Sequence, residues 1–284
     1  MEYTEIAEPP KQVVIETVTA CQLKCPSCYI GSGMLTRKKG LMDWQMFYEL
    51  CEQIEPFAKH VYLHLWGEPT LNPDIGKMIR HVKRFATIDL STHGQTVTEE
   101  NADDLCEATT LAVSMEGLDQ EIYEKYRVGG SFEKAMNGLK ILAAKRKNVN
   151  WTWVVTKDNE HQIEDARKIA EELGVNFGPK SPYFVSDSVK AQLEPSEEKF
   201  RRYDHVGELK SNRHACREFW ETIYFNPEGD CTTCCFDYNA SWKMGNLKEN
   251  TVLEIWNGEK YRAMRRNHLA GNLNQLCATQ CGLP

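Results

Sequence analysis

The sequence predicts an α/β protein with a parallel sheet and its helices outside. Three observations lead there. Short β-branched, apolar runs alternate with amphipathic segments from residue 12 to about residue 180. The connections between them are short, as expected when sequential strands lie side by side in one sheet. After residue 180 the alternation stops, and a polar stretch leads into a cysteine-rich tail, so a smaller unit follows the first.

The first strand is expected over 12–18, in Val13-Val14-Ile15-Glu16-Thr17-Val18 and the glutamine before it. Further strands are expected at 61–65, 87–91, 111–115, 150–155 and 174–178. Helices belong near 43–54, 74–84, 98–107, 133–146 and 161–172. Asp43 and Ser131 stand where N-caps are needed, since a short polar side chain satisfies the first free N–H groups of a helix. Gly174, after Glu171-Glu172-Leu173, supplies a stop. Cys51 and Cys106 have apolar neighbours on predicted helices and are assigned to the core. The organisation expected is an N-terminal arm over 1–11, the α/β unit over 12–180, a linker with a short helix over 181–213, and the tail over 214–284. Within the tail, the apolar run at 222–225 and the turn Pro227-Glu228-Gly229-Asp230 predict a β-hairpin. Residues 251–266 predict one helix with Val252, Ile255 and Trp256 on a single face.

The composition, 26% charged and 41% apolar over 284 residues, is that of an ordinary globular chain. A net charge of −7 gives no electrostatic footprint for nucleic acid. No apolar run approaches the ~18 residues of a membrane span. Eleven cysteines without a signal peptide point to a reducing cytoplasm and to metal ligation.

The expected first strand runs into Cys21-Gln-Leu-Lys-Cys25-Pro-Ser-Cys28-Tyr29. Three thiolates on one loop can hold three corners of a [4Fe–4S] cluster and leave the fourth iron open, which makes it a reactive centre. Zinc ribbons usually pair one C-x2-C with another, and disulfide scaffolds are small and secreted, so neither alternative suits this loop as well. The C-x3-C-x2-C spacing with an aromatic behind it resembles the cluster loop of the radical S-adenosylmethionine (SAM) enzymes. That resemblance implies a partial (β/α)6 TIM-like barrel with its site at the C-terminal ends of the strands. It also implies SAM chelated by the open iron, beside Tyr29, and cleaved by an electron to a 5′-deoxyadenosyl radical.

Further segments carry the same resemblance. Trp66-Gly67-Glu68-Pro69 resembles the family's Gly-Gly-Glu-like motif, with Trp66 in place of the first glycine, and implies Gly67 and Glu68 at the amino group of SAM. Ser91-Thr92-His93-Gly94 stands where the family has Thr-Asn-Gly. Ser91 and His93 then line the SAM pocket, or His93 lies exposed in a turn. Ser114-Met-Glu116-Gly117, followed by Tyr126-Arg127-Val-Gly129-Gly130-Ser131-Phe132, resembles a segment common in members with extra cluster domains. Ser114 would face the SAM ribose or carboxylate. Arg127 would clamp a carboxylate or form a surface ion pair, and Glu116 replaces the usual aspartate. Val155 is either the adenine contact or core.

The tail resembles the auxiliary-cluster domains known as SPASM and its shorter form, the twitch domain: a small α+β unit, hairpin plus helix, holding a second [4Fe–4S] cluster. Cys216, Cys234, Cys277 and Cys281 are the ligands it implies. The C-x3-C of the last pair departs from the commoner C-x2-C, and Cys231 is a candidate to displace Cys216 or Cys234. With the sequence stopping at Pro284, the one-cluster form is expected. Zinc is the alternative occupant of a four-cysteine site.

A fully ligated second cluster cannot bind SAM, but it can take an electron from a substrate radical or order the site wall. If the segment after Cys234 is extended, Cys235 points away from the ligand row, toward substrate. Its weak S–H bond suits hydrogen donation. The expected reaction is epimerisation of a small molecule such as a sugar or aminocyclitol, with Cys235 as donor. The alternatives are dehydrogenation of an alcohol, modification of a peptide, and a non-enzymatic redox or zinc module. Twenty residues before Cys21 tip the expectation toward a small molecule. An ordinary methyltransferase would have a glycine-rich loop where the cysteines stand. A flavodoxin or ferredoxin would suit as reductant.

Overall fold

In the computed structural model, residues 4–205, 208–209, 216–272 and 277 are described. Strands β1 (Gln12–Ile15), β2 (His60–Tyr62), β3 (Thr87–Thr92), β4 (Thr110–Ser114), β5 (Asn150–Val154) and β6 (Asn176–Lys180) pair in sequence order, all parallel. Between them run helices α1 (Trp44–Ile54), α2 (Ile75–Val82), α3 (Glu99–Leu105), α4 (Gln120–Tyr126), α5 (Phe132–Lys145) and α6 (Ile163–Leu173). This is the partial barrel expected. The caps are also as expected: Asp43 accepts from the Met46 N–H at 3.0 Å, and Ser131 from the Lys134 N–H at 3.3 Å. Gly174 ends α6 at φ +69°.

Several boundaries differ. Strand β1 ends at Ile15, because Thr17 and Val18 turn to meet the returning chain: Met42 donates to the Thr17 carbonyl, and Val18 bridges Leu41. Helix α4, between the Glu116 turn and the double glycine, is not among the predicted helices; Asp119 caps it. The helix expected over 251–266 is two, α9 (Val252–Trp256) and α10 (Glu259–Leu269), broken at Asn257-Gly258. Val252, Ile255 and Trp256 do share a buried face.

Period-two alternation sorts the strands into two faces. Val61, Leu63, Ile88, Leu90, Leu111, Val113, Trp151, Trp153 and Val155 pack under the outer helices. His64, Asp89, Ser91, Ser114, Thr152 and Val154 face inward.

The 181–213 segment contains α7 (Asp187–Leu193) and a short antiparallel pair, β7 (Tyr203–His205) and β8 (Glu208–Leu209). It is more than a spacer. Phe184 and Leu193 join Leu23, Cys25 and Tyr126 in an apolar cluster around the cysteine loop.

The tail does not stand apart. After α8 (Glu218–Glu221), β9 (Thr222–Phe225) runs parallel to β1 along its free edge. The hairpin continues through β10 (Asp230–Thr232) to β11 (Gly245–Asn246), giving a nine-stranded sheet. The N-terminal arm is clamped on the same side. Carbonyls of Thr4, Glu5, Ala7 and Glu8 accept from Trp220, Arg265, Asn257 and Trp256. Among the described residues no helix is long and apolar enough to cross a membrane.

Candidate active site

The cysteine loop leaves the C-terminal end of β1 and is fastened from four sides. Glu68 N–H donates to the Ala20 carbonyl at 2.9 Å, and Lys24 N–H to that of Val128 at 2.9 Å. A Cβ on Gly67 would sit 1.9 Å from the Val18 carbonyl oxygen, and one on Gly31 would sit 2.4 Å from the backbone of Cys25. Both glycines permit backbone contacts that no other residue allows.

Glu68 is buried and its carboxylate is already engaged. It accepts from Thr70 N–H and Oγ1, from Thr92 Oγ1 at 2.7 Å and from His93 N–H at 2.8 Å. His93 is buried rather than exposed. Gln95 N–H donates to its Nδ1 at 3.1 Å, so Nε2 carries the proton and donates to Gln22 Oε1 at 3.0 Å, between the first two cysteines. Burial holds the imidazole pKa below its usual value. These residues shape the loop.

Arg127 closes another side. Its Nη2 donates to Glu116 Oε1 at 2.7 Å and its Nε to the other carboxylate oxygen, while Nη1 lies 3.7 Å from Cys25 Sγ. The carboxylate it clamps is thus the chain's own Glu116, and the pair is buried rather than on the surface. Tyr29 is buried too. It stacks on Tyr238 of the tail at 3.6 Å between ring centroids, hydrogen-bonds Tyr183, and meets the edge of Trp66 at 4.7 Å. The tryptophan that replaces a glycine therefore has a packing partner in Tyr29.

The three thiols share one electrostatic neighbourhood. Burial pushes Cys21 up to about 11 and Cys25 to about 12. As thiolates they need compensating charge, and Leu23 N–H already donates to Cys21 Sγ at 3.4 Å. An apolar wall, one cation at Cys25 and an N–H aimed at sulfur suit an iron–sulfur cluster, whose potential such contacts set. Among the described residues no three such groups converge on an ion-sized point.

In the tail, Cys216, Cys235 and Cys277 all act electrostatically on Cys234, whose thiol burial pushes well up. Cys281 lies outside the described residues. Cys231 is buried in the same main core as Cys277, with its Sγ 3.8 Å from Tyr261 Oη, a contact that favours packing over ligation. The physical reason is strand alternation on β10, which turns Cys231 toward α10. The premise of an extended segment at Cys235 fails. β10 ends at Thr232, and Cys234–Asp237 form a turn closed by the Asp237 N–H on the Cys234 carbonyl at 3.1 Å. Cys235 acts electrostatically on both Tyr29 and Tyr224.

Inside the barrel lies a cavity of about 480 Å³ lined by strands β3 to β6 and His64. Its wall carries a hydroxyl ladder, Ser91 to Ser114 at 3.4 Å and Ser114 to Thr152 at 2.8 Å. Val154 lines it. Val155, one residue on, packs in the outer core, the second of the two places expected for it. Sequence reasoning missed His64, Asp89, Thr152 and Lys180, although polar residues at every second strand position are their signal.

Comparison with known proteins agrees with this architecture. Residues 15–170 match the family model for the radical SAM superfamily, and residues 216–282 match that of an iron–sulfur cluster-binding domain, SPASM. A tungsten-containing aldehyde ferredoxin oxidoreductase cofactor-modifying protein of Pyrococcus furiosus is 25% identical over 91% of this chain and 85% of its own length. The mycofactocin maturase MftC of Mycobacterium tuberculosis is 24% identical over 90% and 73%. Among solved structures, SuiB of Streptococcus suis bound to S-adenosylmethionine superposes with a TM-score of 0.72 at 17% identity, over 90% of this chain and 68% of SuiB. BtrN in complex with AdoMet and 2-DOIA superposes at 0.58 and 18%, over 92% and 88%.

Proposed function

The chain belongs to the radical SAM superfamily and carries a SPASM-type iron–sulfur domain. From that premise we propose that it removes a hydrogen atom from a carbon of a small, hydroxyl-bearing molecule held in the barrel interior. Cys21, Cys25 and Cys28 would hold a [4Fe–4S] cluster, which with bound SAM would supply the 5′-deoxyadenosyl radical. Cys216, Cys234, Cys277 and Cys281 would hold the second cluster.

The cavity carries this reading. Its lining joins hydroxyls, amides and charged groups to apolar surface from Ala112, Trp151, Val154 and Phe177, a mixture that suits a small hydroxyl-bearing molecule with a carbon face to bury. Ser114 and Ser91 bind hydroxyl or carboxylate oxygens there. Glu68, His93 and Arg127 keep the cysteine loop in place above them. Cys235, carried by a turn of the tail beside Tyr29, returns hydrogen to the opposite face, so the product is an epimer.

A second reading, oxidation of an alcohol to a ketone, is favoured by the His64–Asp89 pair in the cavity, since loss of a hydroxyl proton needs an acceptor. Peptide modification is a third. One relative is a maturase, and SuiB has been solved bound to the precursor peptide SuiA.

The test is anaerobic turnover of hydroxylated candidates in D2O with SAM and dithionite. Epimerisation through a thiol places one deuterium at the inverted carbon. In Cys235→Ala, 5′-deoxyadenosine should form without epimer, and full turnover in that variant removes the donor role. A ketone without solvent deuterium selects the second reading.

A further inference from the structure

We infer that His64 accepts a hydrogen bond from the hydroxyl on the reacting carbon, and that Asp89 holds the ring for it. This rests on the reading that the barrel interior holds the substrate. His64 follows β2 and Asp89 lies on β3, and both line the cavity. His64 Nδ1 is 3.2 Å from the Asp89 carbonyl oxygen and 3.8 Å from its Oδ1. A carbonyl can only accept, so Nδ1 carries the proton and the lone pair of the neutral ring lies on Nε2. No partner occupies that nitrogen among the described residues.

The contrast with His93 is informative. His93 has its proton on Nε2 and spends it on Gln22 of the cysteine loop. His64 has the opposite tautomer and presents an acceptor instead. Facing His64 are Asp89 from β3, Glu68 from the loop after β2, Lys180 from the end of β6 and the ring of Tyr62 at 6.1 Å. Burial outweighs these and keeps the imidazole pKa below its usual value, so the acceptor form prevails at neutral pH. Lys180 is exposed and forms no ion pair among the described residues, which leaves its ammonium for a substrate oxygen. An acceptor on a hydroxyl enriches the electron density at its carbon. The oxygen-substituted carbon radical left by hydrogen removal is thereby stabilised and the C–H bond there is the weaker one, so the position of His64 selects the carbon.

Two measurements test this. In 15N-histidine-labelled holoenzyme near neutral pH, with His64 assigned by its loss in His64→Gln, the long-range correlation pattern should show the Nδ1–H tautomer at His64 and Nε2–H at His93. An imidazolium or Nε2–H form at His64 overturns the inference. With the substrate identified by the screen above, His64→Gln should lower kcat/KM by about 10²-fold, the lower end for a positioned proton acceptor. In the unaltered enzyme kcat/KM should fall as pH drops through the His64 pKa, below the usual ~6.5, and Asp89→Asn should move that limb. Unchanged kcat/KM in His64→Gln overturns the inference. If His64 has the expected tautomer but no hydroxylated compound is turned over, the substrate reading of the cavity falls, and the role of His64 with it. The wrong tautomer together with turnover removes only His64.

Discussion

The two cysteine sites are built in opposite ways. At the first, three thiols lie within eight residues of one loop, and that loop is pressed into shape by Gly31, Gly67, Glu68, His93 and Arg127. At the second, Cys216, Cys234 and Cys277 come from distant segments, brought together by β9, β10 and the helices behind them. The first is a backbone conformation with ligands attached. The second is a product of tertiary packing. Damage to the loop should therefore stay local, whereas damage to the packing of β9 and β10 should spread through the fold.

The sharpest way to break the comparison is Gly67→Ala. The added methyl meets the Val18 carbonyl, and the root of the loop must move. Reconstituted protein should lose about four of about eight irons and all 5′-deoxyadenosine formation. Full iron and full cleavage would show that the loop tolerates displacement.

Next is the buried Arg127–Glu116 pair. Arg127→Met leaves Glu116 buried without its partner and should cost about 3–5 kcal/mol in denaturant unfolding. The double variant with Glu116→Gln should cost less than the two single losses added together. Simple additivity would mean that the pair is not coupled.

The second site is probed by two cysteines that differ in environment. Cys277→Ala should lose about four irons and retain SAM cleavage. Cys231→Ala should keep all iron and cost about 0.5–3 kcal/mol as a core change. Iron loss in Cys231→Ala would restore Cys231 as a ligand.

The smallest effect concerns Glu16, buried beside Arg37 with one carboxylate oxygen unpartnered. Burial raises its pKa from 4.5 to about 7, against the pull of Arg37. The folded state therefore holds the proton more tightly than the unfolded chain. The stability this supplies is complete below 4.5 and is lost as pH rises toward about 7. Glu16→Gln should flatten that slope in unfolding curves. An unchanged slope would assign it to another group.

What was legible in the sequence follows the same division. The cysteine loop, the six β/α units and the caps are local patterns, and they stand where expected. The inner residues of the barrel were half legible. Alternation marks His64, Asp89 and Ser91, but which face looks inward depends on strand pairing, and for that reason the sequence left Val155 between cavity and core. The backbone at Cys235 was not legible, because a turn lies where an extended segment was assumed. The parallel pairing of β9 with β1 could not be read at all. It joins residues about two hundred positions apart, and nothing in either strand names the other.

That pairing has a consequence for anyone dividing the molecule. Without β9, strand β1 would present a bare row of N–H and C=O groups on a run of valines and isoleucine, an invitation to join the sheet of another chain. Cutting the tail away would leave a barrel with a sticky seam beside its most reactive loop. In this protein the second cluster domain is also the selvedge of the first.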